Sequence, residues 1–138
     1  MRLYNIYGKL SNKSVGRYRI DWDGKSRSKA QFKVKQFLKK YWSTHVVFEE
    51  FPVYGSKMHV DILNATLKVA IEVNGAQHDK FVPFFHKNSR SNYLRSIKRD
   101  HKKYNWLEKN EFKVVEILDT EADKLSKSFF EDKFDVVL

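Results

Sequence analysis

The stretch HVDILNATLKVAIEVNG, residues 59–75, decides the fold of this chain. It holds two mostly apolar runs, 58–63 and 67–73, separated by an Asn-Ala pair that favours a turn. Runs of this length and content predict two strands, and the second is apolar enough for a central strand. Asp61 interrupts the first run and Glu72 interrupts the second.

The residues on both sides extend this pair of strands into a sheet. His45–Val53 is rich in Val and Phe, and Pro52 marks a strand end or a sheet edge. A Tyr-Gly-Ser-Lys turn then leads into 58–63, so the first three strands are expected to form an antiparallel meander. Phe112–Leu118 predicts a fourth strand.

Three helices are predicted around these strands. Residues 28–41 place apolar side chains at helical spacing after a Ser that can cap the helix, either Ser26 or Ser28. Residues 91–110 show the same spacing, and 121–133 predict a last helix capped by Asp119 or Thr120. The order α-β-β-β-α-β-α indicates a mixed α/β class.

The first 27 residues are polar, basic and rich in tyrosine. They predict an N-terminal arm or a hairpin, with Arg2–Tyr7 and Gly16–Trp22 as its strands and Asn12–Ser14 as the turn. Residues 28–138 are expected to form a single domain.

Composition excludes several classes of protein. With 41% hydrophobic and 15% aromatic residues in 138, the chain is not disordered, and no apolar run approaches the roughly 18 residues of a membrane helix. The absence of cysteine excludes disulfides and thiolate zinc sites and fits a reducing compartment. We therefore expect a cytoplasmic protein without a membrane partner.

Charge is distributed unevenly along the chain. Residues 114–138 carry seven acids and three lysines, which leaves 24 basic and 10 acidic residues, a net +14, for residues 1–113. An excess of this size favours a polyanion partner, and nucleic acid is the commonest. A generally basic surface is the alternative.

The two acids within apolar strands are the first candidate site residues. A carboxylate in an apolar strand is costly unless it has a partner or a cation. On adjacent strands of a tight hairpin, Asp61 and Glu72 can face each other and offer hard oxygen ligands to Mg²⁺. Pairing with nearby lysines or capping of turns is the alternative.

The wider pattern resembles the PD-(D/E)XK, or restriction-endonuclease-like, nucleases. The likeness is to the branch with the very-short-patch-repair endonucleases and phage homing endonucleases, over about residues 28–118. It consists of the Asp61 strand, then Glu72-Val73-Asn74-Gly75-Ala76-Gln77-His78, then Arg99-Asp100-His101-Lys102-Lys103, Leu107, Asn110-Glu111 and the strand Phe112 to Ile117.

The resemblance implies a restriction-endonuclease-like core and a Mg²⁺ site, with Mn²⁺ able to substitute. Asp61 and Glu72 would be the metal ligands, His78 would handle a water or the leaving group, and Asp100 would orient His78. The catalytic residues that it implies are Asp61, Glu72, Asn74, His78, Asp100 and Gln31.

The chain departs from the family at two of these positions. Gln31 stands where this branch usually has Glu on the first helix, so Gln31 binds a metal water without adding charge, or Glu49 or Glu50 substitutes. Asn74 stands where many relatives have Lys. The charge that stabilises the transition state must then come from the metal, His78 or a nearby lysine such as Lys80 or Lys102.

These patterns predict a metal-dependent endonuclease acting on DNA rather than RNA, of the homing or nicking type. A phage or mobile-element origin, and so a host cytoplasm, and a possible homodimer follow from the resemblance. A nucleic-acid-binding module with weak or lost catalysis is the alternative. A basic structural protein would explain the charge but not the paired acids.

A run of basic residues beside the candidate site is expected to contact phosphates, although it could be an ordinary solvated helix face. The expected nucleic-acid-binding residues are Lys87, Arg90, Arg95, Lys98, Arg99 and Lys102.

Replacing two of these residues, Arg95 and Lys98, by glutamine should weaken DNA binding similarly for unrelated sequences. For every phosphate that the variant no longer neutralises, the slope of log K against log salt should become shallower by roughly 0.9 on duplex DNA. Binding titrations between low and moderate salt measure this slope. An unchanged slope would place the binding face elsewhere.

Overall fold

A computed structural model describes residues 1–75 and 101–138. The strands are β1 Arg2–Tyr4, β2 Leu10–Asn12, β3 Val47–Pro52, β4 His59–Asn64, β5 Val69–Asn74 and β6 Lys113–Leu118. The helices are α1 Lys29–Trp42, the helical residues 101–109, here called α2, and α3 Lys127–Phe134.

The main sheet of the described residues has the strand order β3-β4-β5-β6. β3, β4 and β5 pair antiparallel through short turns, so the predicted meander is confirmed. β6 lies parallel to β5, with Val69 opposite Lys113 and Asn74 opposite Leu118. A parallel neighbour requires a crossover, and the chain segment between β5 and β6 supplies it. The predicted mixed α/β class is confirmed.

Two apolar clusters cover the two faces of this sheet. Because side chains alternate along a strand, Ile62 packs on one face with α1 and α3 residues, while Leu63 packs on the other with α2 residues. Trp42 of the first cluster and Trp106 of the second are 0% and 2% exposed. Both tryptophans therefore belong to the core.

Helix α1 follows the prediction for residues 28–41 to within one residue. Ser28 is extended, and its hydroxyl accepts a hydrogen bond of 3.1 Å from the amide of Gln31, as an N-cap does. Val34 and Leu38 then face the sheet, since residues four apart share one side of a helix.

The predicted N-terminal hairpin exists, but its second strand and its turn were wrong. β1 pairs with β2, and the turn is made by residues 5–9, while 16–18 form a 3-10 turn. The Asn5 carboxamide accepts from the amides of Tyr7 and Lys9, and Gly8 has a φ of +82°. Asn and Gly favour such a tight turn, which is why the chain reverses at residues 5–9.

The last helix begins later than predicted. The chain forms a 3-10 turn at Asp119–Glu121, and α3 starts at Lys127 with Ser126 as its N-cap. Glu121 is engaged elsewhere, because its carboxylate accepts from the amide of Leu118 at the end of β6 and pairs with Lys133. Among the residues that the structure describes, no helix has the length and apolar content needed to cross a membrane.

Ser28→Ala should lower the free energy of unfolding by about 1 kcal/mol, because it removes the hydroxyl that caps α1. Urea denaturation should show a lower midpoint with an unchanged slope. Ser14→Ala, at an exposed loop position, is the matched control and should change stability by less than about 0.5 kcal/mol. Equal effects of the two changes would contradict the capping role.

Candidate active site

The ladder of the sheet is interrupted at Asp61. Between β3 and β4 the pairing passes from Glu49–Ile62 to Phe51–Val60, so Glu50 and Asp61 form no backbone pair. Glu50 has a φ of +52°, a left-handed conformation that is uncommon outside glycine. Between β4 and β5 the last pair is Ile62–Ile71, so the pairing does not extend to the neighbouring Asp61.

Two carboxylates bridge the gap between β4 and β5. Asp61 Oδ2 accepts a hydrogen bond of 2.8 Å from the amide of Val73, and Glu72 Oε2 accepts one of 2.9 Å from the amide of Asp61. Each acid therefore accepts a hydrogen bond from the backbone of the strand that carries the other acid. The structure brings the two acids together, as the strand pattern predicted.

Two basic side chains from outside the sheet compensate this buried charge. Arg27 Nη2 lies 3.1 Å from Asp61 Oδ1 and 3.3 Å from Oδ2. Lys103 Nζ, from α2, lies 2.5 Å from Glu72 Oε1. Asp61 and Glu72 are only 2% and 3% exposed, and the Lys103–Glu72 pair is the better shielded from water because Lys103 is also mostly buried, whereas Arg27 is 59% exposed.

The environment makes Asp61 a weak acid. Burial, and then the neighbouring Glu72 carboxylate, raise the pKa of Asp61 to about 7, with a smaller contribution from Glu50. The Val73 amide and Arg27 act in the opposite direction without cancelling this rise. The charged form of Asp61 is therefore under strain near neutral pH, and an additional cation would relieve it.

A second charged cluster joins α1 to β3 beside this pair. Lys35 is fully buried and its Nζ lies 3.0 Å from Glu49 Oε1. Gln31 Nε2 donates to Glu49 Oε2 at 2.9 Å and to Glu50 Oε1 at 3.1 Å. The buried Gln31 Oε1 has no hydrogen-bond partner in the described part of the chain. Rotating the amide would turn this oxygen toward two carboxylates, so charge fixes the orientation.

The residues fit a Mg²⁺ ion with two protein carboxylates. Among residues 1–75 and 101–138, no group of three or more His, Asp or Glu side chains is placed to hold a metal. Mg²⁺, however, keeps several waters and commonly takes only one or two carboxylates in addition to substrate phosphates. The raised pKa of Asp61 and the two basic side chains now in place both indicate a demand for positive charge there.

The structure describes only two of the other predicted site residues. Asn74 is half-buried at the end of β5, two residues beyond Glu72, and Lys102 is exposed on α2. The predictions for Lys80, His78, Asp100 and the remaining basic residues fall outside the described residues; those basic residues are Lys87, Arg90, Arg95, Lys98 and Arg99. The roles assigned to all these residues stay predictions.

Sequence reasoning missed three charged residues of this site. Lys103, which belongs to the motif quoted for the resemblance, contacts Glu72, and Glu116 of β6 lies beside Glu72 in the parallel register. Arg27 and Lys35 also escaped notice, since each stands in a basic segment with several similar residues. One signal was available for Lys35, which shares the apolar side of α1 with Val34 and Leu38.

Comparison with known proteins adds little to this geometry. No family model matches the chain, and no solved structure matches it. The chain is similar to the uncharacterized protein 307L of Invertebrate iridescent virus 6, with 35% identity over 66 residues. The match spans 48% of this chain and 33% of the viral protein. That name states no activity, so the similarity assigns no function.

Asp61→Asn should remove a pH dependence of stability that can be measured in EDTA. The folded protein keeps the Asp61 proton up to about pH 7, whereas the unfolded chain loses it near pH 4. The neutral acid therefore stabilises the wild type fully below pH 4, and this stability is lost as the pH rises to 7. Relative to wild type, the variant should gain up to about 3 kcal/mol between pH 5 and pH 8, at about 1.4 kcal/mol per unit.

Urea denaturation of both proteins across this pH range measures the difference. Asp132→Asn, at an exposed position on α3, is the control and should follow the wild type at every pH. A constant difference between Asp61→Asn and wild type would show that Asp61 titrates normally.

Proposed function

We propose that this protein is a Mg²⁺-dependent endonuclease that hydrolyses phosphodiester bonds, in DNA rather than RNA. The observation that supports this most strongly is the pair of buried carboxylates, Asp61 and Glu72, at the interrupted end of the β4–β5 ladder. Burying two acids side by side lowers stability, even though each carboxylate oxygen has a protein partner in the metal-free structure. Cation binding explains why the site retains them.

Asp61 and Glu72 would hold the metal, with Mn²⁺ as a substitute. Bound there, Mg²⁺ supplies charge that polarises a phosphoryl oxygen and makes a water more acidic. Lys103, 13% exposed at its side chain and in contact with Glu72, is placed to offset negative charge within the site. Lys103 would then supply the positive charge that many of the resembling enzymes have from a lysine at the position of Asn74.

We assign proton transfer to His78 and Asp100, and this assignment rests on the sequence resemblance. An imidazole held by a carboxylate at one nitrogen can use the other to accept or donate a proton. His78 would act on a water or the leaving oxygen, and Asp100 would fix its tautomer.

The substrate follows from charge. Residues 1–113 carry a net +14, and the described bases at the acid pair, Arg27 and Lys103, come from two different elements. A positively charged surface around a metal site suits the negatively charged phosphodiester backbone of a nucleic-acid strand. The restriction-endonuclease-like core, the homing or nicking activity, a possible homodimer and a mobile-element origin belong to the same proposal.

The alternative function is a nucleic-acid-binding module on the same fold with little or no catalysis. The arrangement of Gln31 favours it, because the amide donates to Glu49 and Glu50 where the resembling enzymes place a further carboxylate. The acids of the site are in that case already neutralised by Arg27, Lys35 and Lys103.

Asp61→Ala should abolish nicking of supercoiled plasmid in Mg²⁺ or Mn²⁺. Loss of a metal ligand removes several kcal/mol of transition-state stabilisation, which corresponds to a rate decrease of roughly 10³-fold or more. The variant should still fold at pH 8, because the charged Asp61 destabilises the metal-free protein. Gel assays with and without EDTA measure the rate.

Asp123→Ala, at an exposed acid paired with Lys33, is the control and should cut at the wild-type rate. An Asp61→Ala variant that retains most of the wild-type rate would refute the assignment of the site. Wild-type protein that binds DNA without cutting it in either metal would favour the binding module.

A further inference from the structure

The segment before α1 is fastened to the domain at several points. Lys35, fully buried, donates from Nζ to the carbonyl oxygen of Gly24 at 2.8 Å while it pairs with Glu49. The Ser26 hydroxyl donates to the other oxygen of Glu49 at 2.7 Å. On the far side, Ser28 is held as the N-cap of α1. The backbone on both sides of Arg27 is therefore anchored.

Further contacts hold the preceding residues of this segment to the outer side of α1. Gln36 Nε2 donates to the carbonyl oxygen of Trp22 at 2.5 Å, and Lys39 Nζ pairs with Asp23 at 2.7 Å. Because these contacts fix the backbone, holding Arg27 beside the acid pair costs little further backbone entropy, and the remaining cost is that of ordering its side chain.

The Arg27 side chain is nevertheless largely open to solvent. It is 59% exposed, whereas the Asp61 side chain that it contacts is 3% exposed. A guanidinium has five N–H donors, and the contact to Asp61 runs through Nη2. The structure thus presents an arginine with an anchored backbone, an exposed side chain and more N–H donors than its contact to Asp61, among the described residues, uses.

We propose that Arg27 is a phosphate-binding residue of this site, which neutralises Asp61 in the metal-free protein and transfers to a nucleic-acid phosphate when a cation binds. This inference rests on the proposed nuclease function. A divalent cation on Asp61 and Glu72 supplies the charge that Arg27 supplies now, and it repels the guanidinium. A phosphate of the substrate then offers the planar fork of Arg27 a bidentate partner within reach of the same pocket.

Lys103 is less suited to this exchange. Its side chain is 13% exposed and it contacts Glu72 from within the cluster formed by α2 and the sheet. Movement of Lys103 into solvent would require it to leave a mostly buried position, whereas Arg27 needs only a change of side-chain rotamer. The two bases are therefore expected to respond differently to metal.

The first test uses the metal alone, without DNA. Calorimetric titration with Mn²⁺ should show roughly three- to tenfold tighter binding to Arg27→Gln than to wild type, because a competing positive charge beside Asp61 has been removed. Lys33→Gln removes the α1 cation of the exposed pair between Lys33 and Asp123 and should leave Mn²⁺ affinity unchanged.

The second test is single-turnover cleavage at saturating Mn²⁺. Arg27→Gln should cut roughly 10²-fold more slowly than wild type, because a donor to the reacting phosphate is removed. Arg27→Lys should recover part of the rate, since it restores the charge but not the bidentate geometry. Tighter metal binding combined with slower cleavage is the signature that a purely structural ion pair would not produce.

Two results would overturn the proposal while leaving the nuclease function intact. One is an Arg27→Gln variant that cuts at the wild-type rate in saturating Mn²⁺. The other is an Mn²⁺ affinity that does not differ between this variant and wild type. If the wild-type protein neither binds Mn²⁺ nor nicks plasmid, the proposed function fails and this inference fails with it.

Discussion

The hydrogen bonds that Asp61 and Glu72 exchange across β4 and β5 are the constraint on which the site depends. They take the place of the backbone pair that would continue the ladder, so the strands separate at this point and two carboxylates fill the space. Burial, and then the like charge of Glu72, raise the pKa of Asp61, and this rise reflects the cost of holding two acids there. The surrounding structure is arranged to offset that cost.

Each part of the compensation comes from a different level of the fold. The Val73 and Asp61 amides are local to the sheet, whereas Lys103 arrives on α2 and Arg27 on the segment before α1. The segment that carries Arg27 is itself held by the buried Lys35–Glu49 pair. The N-terminal region is therefore a part of the candidate site, because its removal would leave Asp61 without its arginine.

The same arrangement would suit reversible binding of the proposed cation. A buried acid pair neutralised by one exposed and one mostly buried base can exchange the exposed base for a cation without repacking the core. The left-handed Glu50 and the interrupted pairing lie at this point as well, and local strain of this kind tends to collect at functional sites. A cation bound there would relieve the electrostatic cost of the two neighbouring carboxylates, and this relief would strengthen its binding.

The sequence by itself determined the strands of the meander, helix α1 and the two acids, because each is marked by a local period, a cap or an interruption of an apolar run. Only the tertiary structure decided that Arg27 and Lys103 meet those acids and that Lys35 is buried. Charge pairs between distant residues leave no periodic mark, and a basic chain offers many equivalent lysines. The late start of α3 has a related reason. The Glu121 carboxylate contacts the end of β6 and Lys133, and these contacts leave no mark in the sequence.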